Sequence, residues 1–311
     1  MHQQDSRAYR LAALLFAGSF FLLLQRPCST GWQYLLPAVA IGFLLDLTVQ
    51  RHGNPGLWDR KWFCIWQGIG LFLLLTTPKT EILSCGGADS PLYSVVLVLI
   101  AARAALGGVN RVGRMASVLL WLILGLGAIL LVSGIGKIRL SNLRSVHGDL
   151  PWELAPVLLF PTFFSKEKAA KRTAIYMIPV LLIPLWVSGI LSTGIAGASS
   201  EPFITALKLC SLSSSVSRLE SLGYLILLLS GACLYGGILG ILFDLGERFR
   251  NGYGRIAVCL AAAGLITAEL LNLHMDTGAA GVLIPINWVF LPLILQDNGK
   301  KQNMKKREES S

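Results

Sequence analysis

Ten long apolar runs, separated by short stretches rich in Gly, Pro, Arg and Lys, follow one another from one end of this chain to the other. They cover Leu11–Leu24, Tyr34–Val49, Trp62–Thr77, Leu92–Leu106, Met115–Ile135, Trp152–Phe164, Thr173–Ile195, Leu222–Phe243, Ile256–Leu273 and Gly281–Leu295. A bilayer core is crossed by roughly 20 apolar residues of helix, with about 17 as the usual lower edge. With 54% apolar residues, 14% charged residues and a mean hydropathy of +0.62, the chain lacks the polar surface of a soluble enzyme. The expectation is an all-α integral membrane protein of about ten transmembrane helices.

The basic residues orient it. Ten spans place both termini on one side, and with a cytoplasmic N-terminus the inner segments hold 20 of the 27 Lys and Arg. The outer segments hold Arg26, Lys79, Lys137, Arg139, Arg144, Lys208 and Arg218. That bias is what the positive-inside rule requires, and adding or removing one span scrambles it. The net charge of +10 is thereby explained by anchoring near anionic headgroups rather than by nucleic acid, because the cations are scattered between apolar runs. Specific binding by the Lys166–Arg172 cluster is the minority reading. The first run ends in Arg26-Pro27 rather than in a small-residue cleavage site, so it is expected to persist in the mature protein. Residues 1–295 are read as one transmembrane domain, and the basic tail 296–311 as cytoplasmic and disordered.

Catalytic chemistry has little to stand on. His2, His52, His147 and His274 all lie in tails or loops, so neither an intramembrane metalloprotease nor a serine protease needing a membrane histidine fits. Paired intramembrane acids and a Walker A loop are missing from the sequence as well. The expectation is a non-enzyme with no metal site and no cofactor. Cys28, Cys64, Cys85, Cys210, Cys233 and Cys259 show no CxxC and no His pairing. One disulfide among Cys28, Cys85 and Cys210 near the outer face is geometrically allowed, and small inert apolar residues are the ordinary alternative. Of the acids near spans, Asp46, Glu153, Glu220 and Asp244 lie within about a turn of a span end and reach water by snorkelling. Glu269 lies deeper, a turn from Asn272: it is either a buried, hydrogen-bonded acid with a role or one that reaches the interface by helix tilt.

The first and sixth runs are the shortest, and five spans separate them. Spans one to five and six to ten, about 11–136 and 152–295, are therefore expected to be related by inversion. Short or Gly/Pro-interrupted segments at corresponding positions mark midplane sites in secondary transporters. The first run carries Ala17-Gly18-Ser19 at its middle, and the sixth carries Pro156 and then Phe160-Pro161-Thr162. Glycine lets a helix open and proline removes a backbone donor, so both stretches are read as broken helices that expose main-chain groups to a polar ligand. Kinking without function is the alternative for each stretch taken alone.

Several short motifs resemble those of the spore germination permease family, the B-type membrane subunits of nutrient germinant receptors in the amino acid/polyamine/organocation superfamily. Pro202-Phe203-Ile204-Thr205-Ala206-Leu207-Lys208, then Ser217-Arg218-Leu219-Glu220-Ser221-Leu222, is similar to a Pro-aromatic stretch followed by an Arg-Leu-Glu that opens the eighth helix. Ala101 through Gly107-Gly108 to Arg111-Val112-Gly113-Arg114 resembles the junction of helices four and five. Ile138-Arg139-Leu140-Ser141-Asn142-Leu143 resembles a segment after helix five, with Arg139 where the family carries an acid. The resemblance implies a LeuT-like five-plus-five fold with helices 1 and 6 broken. It implies a subunit in the spore inner membrane that senses a small nutrient such as an amino acid and signals through A-type and C-type receptor subunits. Ala17, Gly18, Ser19, Phe160, Pro161 and Thr162 would then line the ligand site. Half-helix ends would receive the ligand carboxylate and ammonium. Arg218 and Glu220, two apart and so not facing each other on a helix, are read as structural or coupling residues.

Two other classes stand beside the receptor subunit. A proton- or sodium-coupled amino acid permease would use Glu269 or Asp46 as proton carrier. A structural membrane subunit would neither bind nor transport.

Overall fold

A computed structural model describes residues 2–23, 61–76, 91–134, 219–271 and 273. Among these the chain forms six helices and no strand: α1 (His2–Leu23), α2 (Lys61–Leu75), α3 (Pro91–Ala105), α4 (Val109–Gly134), α5 (Leu219–Phe249) and α6 (Tyr253–Leu270). Each coincides with one of the expected spans. The spans expected at 34–49, 152–164, 173–195 and 281–295 lie outside the described residues. Among the described residues, three stretches are long and apolar enough to cross a membrane: Val109–Ile129, Ser221–Phe249 and Tyr253–Leu270.

The helices overrun the apolar runs where polar residues still suit a helix. α1 begins at His2, so its first turns are polar and only its remainder is core. α4 carries Arg111 and Arg114 near its start, ahead of the apolar stretch.

α5 is the central element, packed against each of the other five helices. Every residue from Ser230 to Leu242 is buried. A helix hydrophobic all round belongs inside, and α5 can be enclosed because small residues let its neighbours come close. A Cβ placed on Gly240 would meet the Val109 backbone nitrogen of α4 at 3.0 Å, and one on Gly236 would meet the Ala101 carbonyl oxygen of α3 at 3.3 Å. α4 and α6 instead expose Val118, Trp121, Leu122, Ile256 and Leu260, the outward apolar surface that a bilayer covers.

These contacts decide which helix ends meet. Gly113 of α4 backs onto Arg10 of α1, Gly108 lies against the Asp244 carboxylate, and Lys61 Nζ stands 5.3 Å over the Phe249 ring. Every Lys and Arg whose side chain is described (Arg10, Lys61, Arg103, Arg111, Arg114, Arg248, Arg250 and Arg255) therefore gathers at one end of the bundle. Two turns close that end with glycines in the left-handed region, Gly108 at φ 72° and Gly252 at φ 89°. The second turn is held by Glu247, whose two carboxylate oxygens accept the Gly252 and Gly254 N–H groups at 3.1 Å each.

Candidate functional site

The expected ligand segment of the first span lies on the face between α1 and α5. α1 runs without a break through Ala17-Gly18-Ser19 to Leu23, so the chain does not open at these residues as the sequence implied. Gly18 serves another purpose. A Cβ there would stand 3.1 Å from Leu234 Cδ1, while one on Gly231 of α5 would stand 2.8 Å from the Phe21 ring. Each helix thus presents a glycine to a large side chain of the other, and the two approach closely. Ala17 is fully buried beside Phe16, whose ring stacks on Phe20 at 6.1 Å.

Polar atoms flank this contact. Ser230 and Tyr235 lie on either side of the Gly231–Leu234 stretch, at 0% and 1% exposure. Neither hydroxyl has a hydrogen-bond partner among the described residues. An unmet hydroxyl in an apolar interior costs about 1–3 kcal/mol, so two on one helix mark a place where a polar partner belongs. Gln67 of α2 and Ser94 of α3 are also buried. Glu269, in the last turn of α6, is half-buried and within electrostatic reach of Tyr235.

The structure therefore sets Ala17 and Gly18 on the α1–α5 face, with Ser230 and Tyr235 adjoining the Gly231–Leu234 stretch along α5 and Glu269 within electrostatic reach of Tyr235. Phe160, Pro161, Thr162 and Arg218 lie outside the described residues. Glu220 falls in the first turn of α5, though its side chain, like that of Ser19, lies outside the description. Sequence reading weighed acids and helix breakers and missed Ser230 and Tyr235. The available signal was a hydroxyl inside a long apolar run, which has no water to turn to. Among the described residues no three His, Cys, Asp or Glu side chains converge to hold a metal. The described side chains at this α1–α5 contact are apolar or neutral.

No family model matches the chain, and no curated protein matches it. Among solved structures it resembles Mhp1, a nucleobase-cation-symport-1 family transporter, in a closed conformation with bromovinylhydantoin bound. The likeness has a TM-score of 0.56 at 16% identity and covers 89% of this chain and 74% of that one. At that identity it defines the fold. The chain is an all-α integral membrane protein with the LeuT-type fold of membrane transporters.

Proposed function

We propose that this protein is a permease for a small organic solute, with an amino acid as the first candidate. The observation that carries the reading is the pair of buried hydroxyls on Ser230 and Tyr235, without partners among the described residues, beside the Gly18–Leu234 contact. The transporter fold supports it. Ala17, Gly18 and Ser19 form one wall with the α5 hydroxyls, and Phe160, Pro161 and Thr162 are assigned to the opposite wall, the two halves being repeats at about 11–136 and 152–295. Glu269 is the proton carrier of a coupled cycle. Both termini are assigned to the cytoplasm of a bacterial cell, which the gathering of the described cations at one end supports.

A second reading is the nutrient-sensing subunit of a spore germinant receptor, acting in the spore inner membrane with A-type and C-type partners. One observation favours it: the chain turns at Leu106-Gly107-Gly108, where the resemblance places the junction of helices four and five.

Reconstituted protein, offered a panel of labelled amino acids under an imposed proton or sodium gradient, separates these readings. Gradient-driven accumulation supports the permease. Saturable binding without flux, together with a germination defect confined to one nutrient in spores lacking the gene, supports the sensor. Neither binding nor flux leaves a structural subunit and refutes both.

A further inference from the structure

Away from the α1–α5 face, a groove of about 550 Å3 opens on the outer surface of the bundle between α2, α5 and α6. Its bed is apolar: Ile65 and Gly68 of α2, Leu242 and Leu245 of α5, and Ile256 and Leu260 of α6. Ile65, Ile256 and Leu260 are all more than half exposed, so the groove faces the surface that lipid covers. At its mouth the side chains form a file. Lys61 Nζ lies 5.3 Å over the Phe249 ring, Phe249 stacks on Tyr253 at 6.1 Å, and the Arg250 guanidinium lies 5.4 Å over Tyr253. Two cations thus bracket two rings that themselves line the groove.

Among the described residues the cations at this mouth outnumber the acids. Arg248 and Arg255 are exposed close by, and the neighbouring Glu247 already accepts from the Gly252 and Gly254 amides. Trp62 and Trp66, each half exposed on α2, place this end at the depth where aromatic belts meet headgroups. A basic rim over an apolar trough between membrane helices has the chemistry that captures an anionic headgroup together with its chain. The volume falls within the roughly 300–1,000 Å3 of small-molecule sites.

We propose that this groove binds an anionic phospholipid, its phosphate held at Lys61 and Arg250 and an acyl chain laid along Ile65, Gly68, Leu242 and Leu260. The two rings give the glycerol region a flat face, and the trough admits an unbranched chain without displacing a core side chain. The site is independent of which solute the α1–α5 face takes.

Native mass spectrometry of the detergent-purified full chain, titrated with phosphatidylglycerol and with phosphatidylcholine, tests it. The unsubstituted protein is expected to retain phosphatidylglycerol in preference to phosphatidylcholine. The Lys61→Gln/Arg250→Gln double variant should weaken phosphatidylglycerol binding about 30-fold, from about 1 kcal/mol for each basic side chain at an anionic surface. Gly68→Leu fills the trough and leaves every charge in place, since a Cβ there meets only Leu242 Cδ2 at 3.6 Å. It should abolish retention of both lipids. Equal retention of the two lipids by the unsubstituted chain, or an unchanged double variant, overturns the headgroup assignment. Undiminished phosphatidylglycerol binding by Gly68→Leu overturns the groove. The exposed Lys61 and Arg250 positions keep the test readable if Gly68→Leu fails to fold.

Discussion

Replacing Gly246 by alanine tests whether the bundle's geometry is set by backbone contact at the α5–α6 turn. The added Cβ would lie 2.8 Å from Gly254 Cα, 2.9 Å from its nitrogen and 3.0 Å from the Tyr253 carbonyl carbon. All three atoms are backbone, so no side chain can rotate away. Restoring an ordinary contact of 3.4 Å moves the start of α6 outward by about 0.6 Å, and this strains the 3.1 Å bond from the Gly254 amide to Glu247. Overpacking of this kind costs about 1–3 kcal/mol, and a backbone clash belongs at the upper end. Alanine recovers about 1 kcal/mol of helix propensity over glycine, leaving a net loss of about 2 kcal/mol. At about 2–4 °C per kcal/mol the melting midpoint should fall by about 4–8 °C. Gly125→Ala is the control, because nothing lies within 4 Å of its added Cβ and only the propensity gain remains. The assay is loss of the monodisperse peak on size exclusion after heating in detergent. A Gly246→Ala protein that melts with or above Gly125→Ala would refute the reasoning.

Other expectations follow from the same contacts. Ser230→Ala removes a hydroxyl without a partner among the described residues, so stability should hold or rise, while solute affinity should fall about 2- to 10-fold, as for one neutral hydrogen bond; isothermal titration with the transported solute decides. Glu247→Ala strips two amide bonds from the α5–α6 turn and should loosen it by about 1–2 kcal/mol, read as faster hydrogen exchange at Gly252 and Gly254. Gly18→Phe drives a ring into Leu234 and should end binding and uptake alike, and a fully active variant counts against this face as the site. Glu269→Gln should abolish gradient-driven uptake while solute binding persists, and unchanged uptake removes Glu269 from the coupling cycle.

Membrane residence, helical class and the place of each described helix were legible in the sequence, because a bilayer imposes one length and one polarity on every span. The runs at Trp62–Thr77 and Leu92–Leu106 became α2 and α3, which end at Leu75 and Ala105, two residues and one residue short of the runs. The turns at Gly108 and Gly252 fall where glycine interrupts basic stretches, and both residues adopt the positive φ that favours glycine. Local rules sufficed there.

The site was less legible. Ala17-Gly18-Ser19 drew attention as a helix breaker, yet a glycine inside an apolar helix serves equally well as a contact surface, and only the partner decides between the two. Leu234 supplies that partner from a position more than 200 residues along the chain. Ser230 and Tyr235 passed unnoticed because a single hydroxyl in an apolar run is unremarkable until burial on every side shows where no water can reach it. Likewise, Lys61 and Arg250 are ordinary topogenic cations in the sequence. They become a pair only when Phe249 stacks on Tyr253 between them. What the sequence alone determined was the place of the described helices and the all-α membrane fold class, both of which follow from the solvent. What tertiary structure decided was which small residues face one another, because close approach is a property of two helices and is written in neither.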